Sequence, residues 1–150
     1  MNVNVRFPKH SQPDIEKAKV ATSLCQAAFL YIDLPDNIII EFVDLGPNMY
    51  GESTLTFNKD SKVRINLQLS CKELIYPMVH ELLHLNQIHE GKLSVSRFGD
   101  YIWEGKTYKV DPAKISYKEY MQLPWEYDVS VRQKKLIEQI IGWHPSLIAL

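Results

Sequence analysis

The residues best suited to chemistry in this chain form one five-residue run, His80-Glu81-Leu82-Leu83-His84. On an α-helix, residues four apart lie on the same face about one turn apart, so two imidazoles at this spacing can bind one metal ion. The Glu beside the first His reaches the open position on the ion, where a carboxylate can accept a proton from water. The run therefore predicts a zinc site with His80 and His84 as ligands and Glu81 as general base.

The preceding residues predict the helix that such a site requires. Ser70 and Glu73 match a capping box, which marks a helix N-terminus. The helical pattern ends near Gly91. Pro77 lies inside this segment and has no backbone donor, so it predicts either a kink or a later start of the helix.

The periodicity of this helix places the two histidines away from its apolar side. At about 100° per residue, His80, His84 and Gln87 fall opposite the apolar stripe. Histidines that avoid the apolar stripe and flank a Glu favour ion binding over two ordinary surface histidines. The stripe itself consists of Leu74, Ile75, Met78, Val79, Leu82 and Leu85.

A zinc site with two helical histidines usually takes its third ligand from elsewhere in the chain. His89 would project about opposite His80, so we expect it at the surface. In the predicted last helix, Glu126 shares the apolar side, where an ionised carboxylate is costly unless a positive group meets it. Asp128 falls on the solvent side. Glu126 is therefore the predicted third ligand and Asp128 the alternative, although a Glu in a first turn is also favoured by the helix dipole.

The remaining patterns predict a single α+β domain over residues 1–150, with no repeat and no linker. We expect a small mixed sheet packed on an N-terminal helix and on the helix of the zinc run, followed by a hairpin and a C-terminal helix. The apolar tail 142–150 is expected to pack back onto the body. In chain order, the predicted elements are a strand at 3–7, a helix from 13 to about 31, strands at 38–43, 53–57 and 63–69, the zinc-run helix, hairpin strands at 101–103 and 107–110, and a helix from 124 to about 141.

At the zinc run, and in the segment Trp-Glu-Tyr-Asp-Val-Ser at 125–130, the chain resembles the gluzincin group of zinc metallopeptidases. That segment is similar to the Glu-x-Glu-Ala-Asp box of several such families, whose first Glu binds zinc. The resemblance implies that Glu126 completes the ligand set. The families carry an Asp at the position of Ser130, where it orients a ligand histidine. Ser130, at that position, and Gln87, on the histidine side of the zinc-run helix, are our candidates for residues that hydrogen-bond to the ligands.

The second half of the chain is also similar to small metallopeptidase-like proteins encoded by bacteriophages. The resemblance lies in the Trp- and Tyr-rich hairpin and in the run 120–126 that follows it. The strand-turn-strand-helix order before the zinc run is similar to SprT-like minimal zincins. These resemblances imply a minimal zincin-like domain.

The expected reaction is zinc-dependent hydrolysis of a peptide bond in a peptide or protein substrate. The ion would lower the pKa of its water towards about 7, and Glu81 would accept the proton and pass it to the leaving amine. Strand 53–57 is the expected edge for an extended substrate. Gly51 before it either allows close backbone approach or forms an ordinary turn. For the oxyanion, Tyr120 is the first candidate, with Tyr101, Tyr108 and Tyr117 as alternatives.

Two alternatives to a zinc peptidase stay open. The first is a zinc-stabilised binding module without turnover, for instance a phage protein that engages a host factor. The second is a peptide deformylase-like hydrolase, which also carries this zinc run but takes its third ligand from an upstream cysteine. Cys71 is too close to His80 for that role, and Cys25 lies in a helical pattern.

Composition excludes several other classes of function. The chain is 45% apolar and 23% charged, as is typical of a soluble globular protein. A net charge of −1 indicates neither a nucleic-acid nor an anionic-membrane partner, and no apolar run approaches the roughly 20 residues of a membrane span. The N-terminus lacks a secretory pattern, and two cysteines fit a reducing compartment. We expect a cytoplasmic location, in the host cytoplasm for a phage protein; no oligomeric state is predicted.

Overall fold

A computed structural model describes residues 1–47, 49–54, 61–111, 113–143 and 145–147. Over these ranges the predicted α+β class is confirmed, and no described helix has the length and apolar character needed to cross a bilayer. The elements are β1 (Asn2–Arg6), α1 (Ile15–Phe29), β2 (Asn37–Val43), β3 (Gly51–Thr54), β4 (Ser61–Asn66), α2 (Ile75–His89), β5 (Leu93–Val95), β6 (Tyr101–Trp103), β7 (Lys106–Tyr108), α3 (Tyr117–Met121), α4 (Pro124–Trp143) and a 3₁₀ turn at Pro145–Leu147.

The first sheet is mixed and has the strand order β1-β2-β4-β3. β1 and β4 both run parallel to β2, whereas β3 runs antiparallel to β4 at the edge of the sheet. Side chains alternate across a strand, so one face of the sheet is apolar and packs on the helices. The fully buried residues of that face include Ile38, Ile40, Phe42, Val63 and Ile65.

Two of the predicted strands differ from the structure in their extent. The pairing of β3 with β4 agrees with the predicted antiparallel pair, but residues 55–57 of the predicted strand lie outside the described residues. The next strand ends at Asn66 rather than at position 69, because the Asn66 amide donates to the carbonyls of Gly46 and Met49 and its oxygen accepts from the Gln68 N–H. In the predicted tail, residue 144 and residues 148–150 are likewise outside the described residues.

The capping box before α2 forms as predicted, but it closes a separate turn. Ser70 Oγ accepts from the Glu73 N–H at 3.2 Å, and Glu73 Oε1 accepts from the Ser70 N–H at 3.1 Å. The α-helix then begins at Ile75. Pro77 therefore lies in its first turn, where a backbone donor has no partner inside the helix. Of the two outcomes predicted for this proline, the structure shows the later start.

The second sheet contains one strand more than the predicted hairpin. β6 and β7 form that hairpin, whose turn residues Glu104 and Gly105 both have positive φ, at 48° and 84°. β5 adds to the other side of β6 as an antiparallel third strand. The five-residue helix α3, which begins after the N-cap Ser116, was not predicted either. Elements this short carry too little periodicity to be recognised from sequence.

Candidate metal centre

Three side chains, two on α2 and one on α4, bring metal-binding atoms together between the two helices. Glu126 Oε1 lies 3.1 Å from His84 Nε2, and Glu126 Oε2 lies 3.3 Å from His80 Nε2. Among the described residues, His80, His84 and Glu126 form the group that could hold a metal ion, because their ligand atoms all lie within 4.8 Å of one another. In a tetrahedral zinc site with bonds of about 2.0–2.1 Å, neighbouring ligand atoms are roughly 3.3 Å apart. The two distances between Glu126 and the imidazoles are close to that spacing.

Glu126 reaches the histidines because the second sheet holds the start of α4. Pro124 is the first residue of α4, a position that suits proline because no intrahelical donor is needed there. The neighbouring Trp125 is buried. Its ring stacks on Tyr101 with centroids 5.0 Å apart and meets Tyr108 edge-on at 5.5 Å. These contacts fix the first turn of α4, and with it the direction of Glu126.

The donor set fits a cation. Glu126 is only 3% exposed, yet its Oε2 has no hydrogen-bond partner among the described residues. His80 Nε2 lies 3.3 Å from this oxygen, at ion-pair distance when the imidazole is protonated. A buried carboxylate oxygen without a donor is costly. Two imidazole nitrogens and one carboxylate also form a common catalytic zinc ligand set, so the residues present are suited to zinc.

Charge within the cluster shifts the pKa of each of the three side chains. Burial alone would raise the pKa of Glu126, but the two imidazoles and a hydroxyl hydrogen bond hold it well below its usual range. Burial alone would lower the pKa of His80 and of His84, but the Glu126 carboxylate and the charge of Glu81 together outweigh burial and raise both pKa values. Glu126 therefore attracts each of the two imidazoles in the absence of an ion.

Glu81 is buried next to this cluster, and the edge strand β3 lies beside it. Glu81 is 6% exposed. A Cβ built on Gly51 would lie 3.4 Å from Glu81 Cγ and 3.0 Å from the Arg64 carbonyl oxygen. Of the two roles predicted for Gly51, close backbone approach is the one that the structure supports. β3 can pack this near the base only because its first residue has no side chain.

Tyr120 is the tyrosine that contacts a predicted ligand. Its hydroxyl donates to Glu126 Oε1 at 2.7 Å. Burial, and then the charge of Glu126, raise the pKa of Tyr120 well above its usual range, so the phenol stays protonated and acts as a donor. Of the alternatives, Tyr101 and Tyr108 pack on Trp125, and Tyr117 is largely exposed.

The two predicted hydrogen-bonding residues, Gln87 and Ser130, lie in different places. Gln87 is buried and its Oε1 is 2.8 Å from His84 Nδ1. Ser130 is exposed on α4, and its hydroxyl donates to the Tyr127 carbonyl one turn earlier. The structure therefore brings Gln87 to the cluster and does not bring Ser130 there.

Residues rejected or held in reserve at the sequence level also have clear positions. His89 is exposed, 3.5 Å from the Asp33 carboxylate. Asp128, the alternative ligand, instead accepts from Gln87 Nε2 at 2.9 Å and from Arg132 at 2.8 Å.

Neither cysteine joins the donor group, as a deformylase-like site would require. Cys25 is buried in the core, and its burial raises the pKa of the thiol to about 12. Cys71 is half-buried in the turn before α2.

Sequence reasoning did not single out Gln133 as a residue of the site. Its Oε1 lies 3.2 Å from His80 Nδ1, so it does for His80 what Gln87 does for His84. The available signal was its position two turns after Glu126 on the same side of α4. That signal became specific only when α4 was seen to cross α2 at this point.

No family model matches this sequence, and neither a curated protein nor a solved structure matches the chain. Inferences about function therefore depend on the residues and geometry of this centre.

Proposed function

We propose that this protein is a zinc-dependent hydrolase of peptide bonds, with a gluzincin-type centre in a zincin-like domain. The observation that supports this most directly is the convergence of His80, His84 and Glu126, with the buried carboxylate of Glu81 on the same helix turn. His80, His84 and Glu126 would hold the ion. When bound, zinc would supply Lewis-acid polarisation of water and of the substrate carbonyl.

The remaining groups supply proton transfer and a hydrogen bond. Glu81 accepts the proton of the attacking water and later delivers it to the leaving amine. Tyr120, whose single hydroxyl proton goes to Glu126 Oε1 in this structure, would turn that hydrogen bond to the oxygen that becomes negative, since the phenol is protonated and 41% exposed. Both groups lie at the ligand cluster, which keeps the reacting atoms close to them.

A peptide substrate is favoured by the edge position of β3. This strand pairs with β4 on one side and is last in the order of the sheet. An extended chain can add to such an edge through main-chain hydrogen bonds. Gly51 brings the start of β3 against Glu81, so a chain bound along this edge would pass the proposed base.

The deciding experiment combines metal analysis with one substitution. We expect one zinc per chain after native purification and peptide cleavage that a chelator abolishes. Glu81→Gln should retain the zinc but lose at least about 1,000-fold in kcat/KM, because general-base catalysis and the charge of Glu81 are both removed. Cleavage by Glu81→Gln at the wild-type rate, or a zinc-loaded wild type that cleaves no peptide in a broad library, would contradict the proposal.

A zinc-stabilised binding module without turnover is the second candidate. It is favoured by the origin of the ligands on two helices, since an ion held by His80, His84 and Glu126 would crosslink α2 to α4. On this hypothesis Glu81→Gln would keep the zinc and remove no activity, and removal of zinc would lower Tm without any activity to lose.

A further inference from the structure

Both ligand histidines have a glutamine oxygen behind them. His84 Nδ1 faces Gln87 Oε1 at 2.8 Å, and His80 Nδ1 faces Gln133 Oε1 at 3.2 Å. Gln87 is on α2 with the histidines, whereas Gln133 is on α4. Both glutamines are buried, at 0% and 4% exposure. A buried amide is costly unless its oxygen and nitrogen are both bonded, so these contacts are specific.

The surroundings of each amide nitrogen determine which way the amide points. Gln87 Nε2 donates to the Trp125 carbonyl at 2.8 Å and to Asp128 Oδ2 at 2.9 Å. Gln133 Nε2 donates to the Tyr76 carbonyl at 3.1 Å. Since these partners can only accept, the nitrogens must face them and the oxygens must face the histidines. An amide oxygen accepts only from a protonated Nδ1, which leaves Nε2 as the metal-binding nitrogen.

We propose that Gln87 and Gln133 are the positioning residues of the metal centre. Each holds one imidazole in the tautomer and orientation that directs Nε2 at the ion, without touching the ion itself. The proposal rests on the zinc site proposed above and adds the residues that preorganise it. Both positioning residues are neutral amides. The acidic groups that we assign to the centre are therefore limited to the ligand Glu126 and the base Glu81.

The two supports differ in how firmly they are held. Asp128, which accepts from Gln87, is itself bonded to Arg132 Nη2 at 2.8 Å, and Arg132 Nη1 donates to Asn86 Oδ1 at 2.9 Å. Gln133 has the single anchor at Tyr76. A Glu at position 87 would put a second carboxylate against Asp128 and a carbonyl, whereas a Glu at position 133 would meet one carbonyl and give His80 a charged acceptor. The two conservative substitutions should therefore have opposite outcomes.

The test is NMR of the zinc-loaded protein together with zinc affinity measured by chelator competition. Wild type should show two slowly exchanging imidazole Nδ1–H signals. Gln133→Met should lose the signal of His80 alone and Gln87→Met that of His84 alone, each with zinc affinity lowered by about 10- to 100-fold. Gln139→Met, a glutamine on α4 with no hydrogen bond to either histidine among the described contacts, is the matched control and should change neither property.

The Glu variants separate positioning from simple packing. Gln133→Glu should keep the His80 signal and bind zinc at least as tightly as wild type, whereas Gln87→Glu should bind at least about 10-fold more weakly. If one Met variant fails to fold by circular dichroism, its Glu variant still carries the test.

Three outcomes bear on the proposal in different ways. Retention of both signals and of zinc affinity in the two Met variants would overturn it while leaving the zinc site intact. A wild type that binds no zinc would overturn this proposal and the proposed function together. A wild type that binds zinc with the expected signals but cleaves nothing would count against the hydrolase alone.

Discussion

The two sides of α2 are both buried, but by different means. On the side of the sheet, Met78, Val79 and Leu82 are fully buried in the apolar core. On the side of α4, Gln87 is fully buried and His84 is 6% exposed, and both lie against polar groups such as Glu126. The apolar side needs only matching volume. The polar side needs a partner for each donor and acceptor, because a buried polar group without one is costly.

The difference distinguishes the side of α2 on which we propose that the ion binds. Along the polar side, each glutamine is bonded at both its oxygen and its nitrogen. Glu126 Oε2 is the buried carboxylate oxygen of this cluster that lacks a hydrogen-bond partner among the described residues. A buried carboxylate oxygen that lacks a hydrogen bond at the point facing two imidazoles is the arrangement expected around a cation.

Of the substitutions that test the polar side of α2, Glu126→Ala should have the largest effect. We expect zinc affinity to fall by about 1,000-fold, beyond the roughly 10- to 100-fold that loss of an outer hydrogen-bond partner costs. Asp128→Ala is the matched control, because Asp128 contacts Gln87 rather than the histidines. It should lower zinc affinity by about 10-fold. Chelator competition measures both. The reverse order of affinities would make Asp128 the ligand.

Leu82→Ala tests the apolar side. Leu82 is fully buried, so its truncation should lower the free energy of unfolding by about 3 kcal/mol, measured by chemical denaturation. Zinc affinity well below Tm should stay within about twofold, because the substitution removes no polar contact. A large loss of zinc affinity in the folded variant would show that the two sides are not independent.

Gly51→Ala should act on the base without acting on the ligands. The new Cβ would meet the Arg64 carbonyl oxygen at 3.0 Å and Glu81 Cγ at 3.4 Å, so β3 or Glu81 must shift. We expect kcat to fall by about 10-fold with zinc affinity unchanged. Gly142→Ala is the control, since apart from its own helix no described atom lies within 4 Å of the added Cβ. Equal kcat in the two variants would exclude steric control of Glu81 by β3.

The smallest effect is a pH dependence of the metal-free protein. The pKa of His80 and of His84 is raised above 6.5, so their contribution is complete below about pH 6.5 and is lost as pH rises through the raised pKa values. The lowered pKa of Glu126 acts at the acid end: its contribution is present above about pH 4.5 and is lost as pH falls. Tm of chelator-treated protein should therefore decline above neutral pH. Glu126→Gln should flatten that decline. An unchanged slope of Tm against pH in this variant would argue against the attraction between Glu126 and the two histidines.

The side chains that converge at the candidate metal centre were accessible from sequence in part because helical spacing is a local property. His80 and His84 are one turn apart in any straight helix that contains them. Glu126 stood out because a carboxylate on an apolar helix side requires a positive partner. Ser130 was selected by resemblance alone, whereas Gln133 takes the place behind a ligand histidine because α4 crosses α2 two turns after Glu126.

Residue pattern alone was sufficient for the α+β class, the start and end of most long elements, and the identity of the three side chains suited to zinc. These properties depend on periodicity, capping and turn chemistry, which act over a few residues. The burial of the histidine side of α2 and the supports at Gln87 and Gln133 depend on the packing of α4. The approach of Gly51 to Glu81 likewise depends on the packing of β3. A helical wheel shows that a side lies off the apolar stripe, but it cannot show that a second helix covers that side, because contacts between distant segments are set by how whole elements pack.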